Sequence, residues 1–226
     1  MRAILIALGL AVTGPVEARE AVLVVQTRAA SPSDAKVRER LAERGFVVRV
    51  VDQAAEPAAA GRADVVVISS SVSAKDVRPG WRNLTVPIVT WENDLLDDLA
   101  MTGKRHDVDF GEADKERYLW IVNAPQTMAA GLPAGVANVY VRQAGMSWGR
   151  PGLGATTIAT IYGQPEKAAV FGYEAGATMD YETLAPARRV MFFMGNDGFD
   201  NLSPAGLSLF DAAIDWAVSK PAKAKR

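Results

Sequence analysis

The residues best suited to chemistry follow a run fit for burial. Val86-Pro87-Ile88-Val89 is succeeded at once by Thr90-Trp91-Glu92-Asn93-Asp94, a hydroxyl, an indole, two acids and an amide. Glu92 and Asp94, joined by Asp197 and Glu174, are the candidate catalytic residues, since convergent carboxylates serve as general acid and base or hold a hard cation through oxygen. Ser69, Ser70, Thr90, Trp91, Glu92 and Asn196 are the candidate ligand-binding residues, with Trp91 offering a ring on which a sugar can stack. Plainer readings stand beside these. Asn93 can cap a short helix over 94–101, whose N-terminal half favours the negative charge of Asp94, Asp97 and Asp98. For those three acids the dipole reading is the stronger; for Glu92, which precedes the cap, both stay open. Burial is the commoner fate of a tryptophan such as Trp91.

Other chemistries lack their residues. The sequence has no cysteine, which removes disulfides, a thiol nucleophile and thiolate metal ligands. His106 is its one histidine and sits in a charged stretch, so a Ser-His-Asp arrangement has no placed base. Ser69-Ser70-Ser71 lacks the flanking glycines of a nucleophile elbow, no glycine-rich phosphate loop follows a strand, and Gly149 to Gly154 reads as a turn. The acidic stretches Asp107 to Glu112 and Asn196 to Asn201 depart from the spacing of a helix-loop-helix calcium site. No metal and no cofactor is therefore expected. With 25 basic against 26 acidic residues the net charge is −1, which supplies no field for nucleic acid or an anionic membrane.

The elements that must position these residues alternate in the manner of a parallel sheet. Ala21 to Val25 is a β-branched strand, and Ser31-Pro32-Ser33-Asp34 then caps and starts a helix whose inner face holds Val37 and Leu41. Phe46 to Val51, Asp64 to Ile68 and Val86 to Val89 follow as strands, apolar enough to be covered on both faces. Lys104 to Glu116 reads as a surface loop. Tyr118 to Val122, Val136 to Val141, Thr156 to Tyr162 and Ala168 to Tyr173 are strands with too little chain between them for helices, hence antiparallel. Arg189 to Phe193 returns to a buried strand, and Ser203-Pro204 opens a last helix with Leu207, Phe210, Ile214 and Ala217 at helical spacing. The expected fold is α/β, flavodoxin-like and doubly wound, with a mostly parallel sheet and an antiparallel section in the C-terminal half. In such sheets ligands bind beyond the carboxyl ends of the strands, where the candidate residues lie.

Met1-Arg2, the apolar run Ala3 to Val12, Gly14-Pro15 and Val16-Glu17-Ala18 have the layout of a secretory signal cleaved after Ala18. Residues 1–18 are thus expected to be the signal, 19–220 one domain and 221–226 a flexible basic tail. The mature chain would be periplasmic or secreted, with no membrane span. The sequence leaves the oligomeric state open.

The order of motifs resembles the class I glutamine amidotransferase-like fold, and more closely its trehalose-utilisation (ThuA-like) relatives. Ala63 to Ser70 is similar to the strand that leads into the oxyanion loop, and Val86 to Glu92 to the strand that carries the nucleophile cysteine. Ala129 to Leu132, Phe171 to Gly176 and Phe193 to Asp197 are similar to the loop, glycine-rich hairpin and returning strand of the ThuA-like group. Trp91 and Glu92 stand where the resemblance expects the cysteine, serines replace the oxyanion glycines, and the catalytic histidine has no counterpart. Glutamine hydrolysis by that route is not expected. Thr90-Trp91-Glu92, Ser147-Trp148-Gly149, Phe171-Gly172-Tyr173-Glu174 and Gly195-Asn196-Asp197 also resemble a module of exported bacterial proteins found beside carbohydrate-binding and cell-surface domains. The implied function is a non-catalytic, exported binding or interaction domain, with a carbohydrate or other small molecule as ligand. The competing expectation is a carboxylate-dependent hydrolase of carbohydrate-type substrates, with or without a metal.

Overall fold

The computed structural model describes residues 18–28 and 31–219. The basic tail and all of the expected signal except Ala18 lie outside them. From the N-terminus come β1 (Arg19–Val25), α1 (Pro32–Glu43), β2 (Phe46–Asp52), β3 (Val65–Ile68) and β4 (Ile88–Thr90). Then follow β5 (Phe110–Glu116), β6 (Tyr118–Ile121), β7 (Gly135–Asn138), β8 (Ala144–Gly149), β9 (Thr156–Ile161), β10 (Gln164–Tyr173), β11 (Arg189–Met191) and α2 (Pro204–Val218).

These strands form one 11-stranded mixed sheet, in the order β2-β1-β3-β4-β11-β10-β9-β6-β7, with β8 paired to β10 and β5. From β2 to β11 the neighbours run parallel; from β11 onward they run antiparallel. The uninterrupted valine and isoleucine runs are buried on both faces, as a covered parallel sheet requires. Ala21, Leu23, Val65, Val67, Val89 and Val190 point to the side packed by α1 and α2. Their alternates Val22, Val24, Val66, Ile68, Ile88 and Met191 face Trp81, Leu95, Leu96 and Leu99, which come from 3-10 turns and irregular chain. Both faces are therefore wound, one by α-helices and the other by tighter connections.

Both helices start as their sequences dictate. The Ser33 amide donates to Ser31 Oγ at 3.1 Å, and the Gly206 amide to Ser203 Oγ at 3.1 Å, each cap being followed by proline in the first turn. Val37 and Leu41 are buried as expected. In α2 the inner face is Leu209, Phe210, Ala213, Ile214 and Ala217, while Leu207 is only half-buried.

Two expectations are corrected. The stretch 94–101 is not an α-helix: one 3-10 turn (Asn93–Leu95) is followed by irregular turns, with Ala100 at φ 57°. Leu95, Leu96, Leu99, Ala100 and Met101 are all buried, more consecutive apolar positions than one helical stripe can face inward. The expected surface loop also holds a strand, β5, paired with β8 through Gly111↔Trp148 and Ala113↔Met146. Its alternation breaks between Ala113 and Glu116, where Lys115 adopts a φ of 59°, and that irregularity hides the period of two in the sequence. Among the described residues no helix is long and apolar enough to cross a membrane.

Candidate functional site

Beyond the carboxyl ends of β3, β4 and β11 the chain leaves the sheet through Ser69-Ser70, Trp91-Glu92 and Gly195-Asn196. Ser147 on β8 clamps two of these exits, its Oγ lying 3.0 Å from the carbonyls of both Trp91 and Met194. Buried Tyr140 fixes the third side: its hydroxyl donates to Gly145 O at 3.2 Å and accepts from the Gly195 amide at 3.3 Å. A pocket of about 470 Å³ opens there, lined among others by Ser70, Lys75, Glu92, Asp94, Glu112 and Asn196.

Glu92 is the buried acid of this pocket, at 6% exposure. Its amide donates to Thr90 Oγ1 at 3.1 Å, and its Oε1 accepts the Asp94 amide at 3.1 Å. Among the described residues Oε2 has no hydrogen-bond partner. Burial pushes its carboxyl up to about 8, helped by the charges of Asp94 and Glu112 and opposed by the Asp94 amide. Glu112, more exposed, is also raised, first by burial and then by Asp114 and Asp94. Its carboxylate fits against two residues without side chains: an added Cβ would lie 1.8 Å from Glu112 Oε1 at Gly145 and 3.0 Å at Gly195. Ser70 is 5% exposed, and its hydroxyl has no partner among the described residues.

The other expected residues divide clearly. Asp94 and Asn196 line the pocket with Ser70 and Glu92. Ser69 turns inward, donating to Asp34 Oδ1 and accepting the Ser71 amide at 3.2 Å, and Thr90 Oγ1 donates to Ile68 O at 3.1 Å. Both hold the loop and neither lines the pocket. Trp91 is a core residue, 2% exposed and edge-on to Phe210 with centroids 6.2 Å apart. Asp197 is exposed outside the pocket lining. Glu174 lies at the other edge of the sheet: Tyr173 pairs with Arg189 at the start of β11, and Glu174 itself is ion-paired to Arg188 at 2.7 Å.

Sequence reasoning missed Glu112 and Lys75. In the sequence Glu112 reads as part of an acidic loop, because the broken register of β5 conceals that it stands on a strand; nothing in the sequence marks Lys75. His106 is an exposed residue, yet its Nε2 comes within 3.5 Å of Asp94 Oδ1 at the pocket rim. Among the described residues no group of three or more His, Cys, Asp or Glu side chains is placed to hold a metal ion.

The arrangement of this half-parallel, half-antiparallel sheet is matched among solved structures at the level of fold. The chain has the fold of class I glutamine amidotransferases and ThuA-like proteins. It matches a ThuA-like protein from Bacteroides uniformis over 93% of this chain and 96% of that one, at 11% identity and TM-score 0.53. A GMP synthase-type protein from Thermoplasma acidophilum matches over 87% and 92%, at 12% identity and TM-score 0.52. PurLQS from Thermotoga maritima matches over 88% and 98%, at 11% identity and TM-score 0.50. The resemblance read from the motifs holds at the level of fold. No family model and no curated protein matches the sequence. Fold likeness at these identities carries no activity with it.

Proposed function

We propose that the chain is an exported, non-catalytic binding domain whose Glu92 pocket takes a hydroxyl-rich small ligand of the carbohydrate class. The observation that carries this reading is Glu92 itself. With its carboxyl pushed up to about 8 it is mostly protonated at neutral pH, so it both donates and accepts a hydrogen bond. Ser70, Asp94, Glu112 and Asn196 add further donors and acceptors around it. No aromatic ring is among the lining residues, so recognition rests on hydrogen bonds rather than stacking. Export is supported by the pattern of residues 1–18 alone. The test is a glycan array followed by calorimetry on the mature chain. Binding should survive Glu92→Gln and fall at least about tenfold in Glu92→Ala and Ser70→Ala, the loss of one buried hydrogen bond to a polar ligand. Absence of binding across the array, or an unchanged affinity in both alanine variants, ends the proposal.

One observation favours a second reading, a hydrolase. Glu92 and Glu112 share the pocket, and each carboxyl is raised in part by neighbouring charge. That arrangement suits a general acid, Glu92, facing a base, Glu112 or Asp94. Aryl glycosides are the substrates to try. This reading expects turnover that Glu92→Gln abolishes without loss of binding and that declines above pH about 8. Glu174→Gln, at the other edge of the sheet, should leave it unchanged.

A further inference from the structure

A second cleft adjoins the Glu92 pocket at the segment 73–77, the two sharing only Ala74 and Lys75 among their lining residues. It measures about 560 Å³, within the usual range for small-ligand sites. Its apolar surface comes from Ala74, Val77 and Pro79, with Ile68 at the end of β3 and Leu95 and Leu99 buried behind them. Lys75 and Arg82 stand on its rim, and neither has a carboxylate within salt-bridge distance among the described residues. One acid, Asp98, is also in the lining, which leaves a positive balance. Trp81 completes the wall: it is 2% exposed, and its indole Nε1 is buried without a hydrogen-bond partner among the described residues.

This wall is held rigidly from behind. Arg189 is wholly buried, and its Nη2 donates to Arg82 O at 3.0 Å and to Leu84 O at 2.6 Å. The Asn83 amide donates to Gly80 O at 3.0 Å and the Leu84 amide to Trp81 O at 3.1 Å, closing the turn that presents Trp81 and Arg82. The site is thus formed before any ligand arrives, which lowers the ordering cost of binding.

From this geometry we infer that the Trp81 cleft binds a small organic oxyanion, a carboxylate or phosphate on an apolar body, with Lys75 and Arg82 on the anion and Ala74, Val77 and Pro79 against the body. Arginine and lysine together give charge-assisted bonds to such a group, while the Trp81 ring backs the cleft and reports on its occupancy. The inference is independent of what fills the Glu92 pocket.

The experiment is a titration of the full ¹⁵N-labelled chain, whose five tryptophans give five indole signals, with Trp81→Phe assigning the relevant one. Phenyl phosphate, phenylacetate and their neutral counterpart benzyl alcohol are the probes. One or both anions should shift the Trp81 indole signal saturably and bind at least about tenfold more tightly than benzyl alcohol, the scale of one charge-assisted bond. Whichever anion binds more tightly identifies the head group. The double variant Lys75→Gln/Arg82→Gln, checked for an unchanged backbone spectrum, should lose that preference. No saturable shift with either anion, an equal response to benzyl alcohol, or a preference that survives the double variant overturns the inference. Carbohydrate binding at Glu92, measured separately, has no bearing on any of these outcomes.

Discussion

The Asp94 amide donates to Glu92 Oε1 at 3.1 Å, so the acid that precedes the expected cap is itself the cap. This bond fixes one oxygen of Glu92 and turns the loop so that Asp94 reaches the pocket rim. It also stabilises the carboxylate form, yet burial outweighs it and the carboxyl stays raised.

That shift has a stability signature. The folded pKa of about 8 lies above the ordinary value of 4.5, so the native state holds the proton more tightly than the unfolded chain. Stability from this residue is complete below pH about 4.5, falls as pH rises through the window up to about 8, and levels off above it. The full effect is on the order of 5 kcal/mol. Glu92→Gln keeps the neutral shape and removes the titration, so its advantage over the native chain should grow across that window. Urea unfolding between pH 4 and 9 measures the difference; a constant offset means that the carboxyl titrates normally.

Arg189→Met should destabilise the chain by more than about 3 kcal/mol, since several buried carbonyls lose a charged donor at once. The guanidinium touches the carbonyls of Arg82, Leu84, Val86, Ala187 and Arg188, and burial alone lowers its pKa to about 10. Amide exchange should quicken through residues 82–87 before it does elsewhere. A variant of native stability shows that those carbonyls find other donors.

Trp91→Ala should cost about 3–5 kcal/mol in denaturant unfolding, the usual loss for emptying a large aromatic site. Trp91→Phe, which keeps an edge-on contact with Phe210, should cost about 1.5 kcal/mol or less and leave ligand affinity unchanged. A loss of affinity in the phenylalanine variant would place Trp91 in recognition rather than in the core.

Gly206 reverses an ordinary rule. Alanine in place of a helical glycine gains about 0.5–1 kcal/mol in general. Here an added Cβ would sit 2.3 Å from Val139 O, a backbone atom that cannot swing aside. Gly206→Ala should therefore lower the melting temperature; a rise would mean that α2 can slide away from the end of β7.

The parallel half was legible because Ala21 to Val25, Val65 to Ile68 and Ile88 to Val89 carry one unbroken signal, buried on both faces. Helix starts at Ser31 and Ser203 were legible for the same local reason: the capping hydroxyl and proline act within a few residues. What stayed hidden depends on partners distant in sequence. The strand character of Phe110 to Glu116 is set by pairing with β8 across an irregular register. Glu92, Asp94, Ser70 and Asn196 were found from strand ends, but whether Trp91 faces ligand or core was decided by Phe210, and where Glu174 lies was decided by the reversal of β10. Glu112 enters the pocket only through that irregular strand.

The seam of the sheet bears on how the chain is made. β11 is three residues long, emerges late in synthesis, and yet stands between β4 and β10 as the join of the two halves. Everything through Tyr173 leaves the ribosome before this strand exists, and in that interval β4 and β10 both present open backbone edges. Closing them requires Val190 to meet Val89, from far earlier in the chain, a non-local step of the slow kind. A nascent chain arrested just short of Arg189 is thus the species with most unpaired edge, and the one in which self-association competes most strongly with folding.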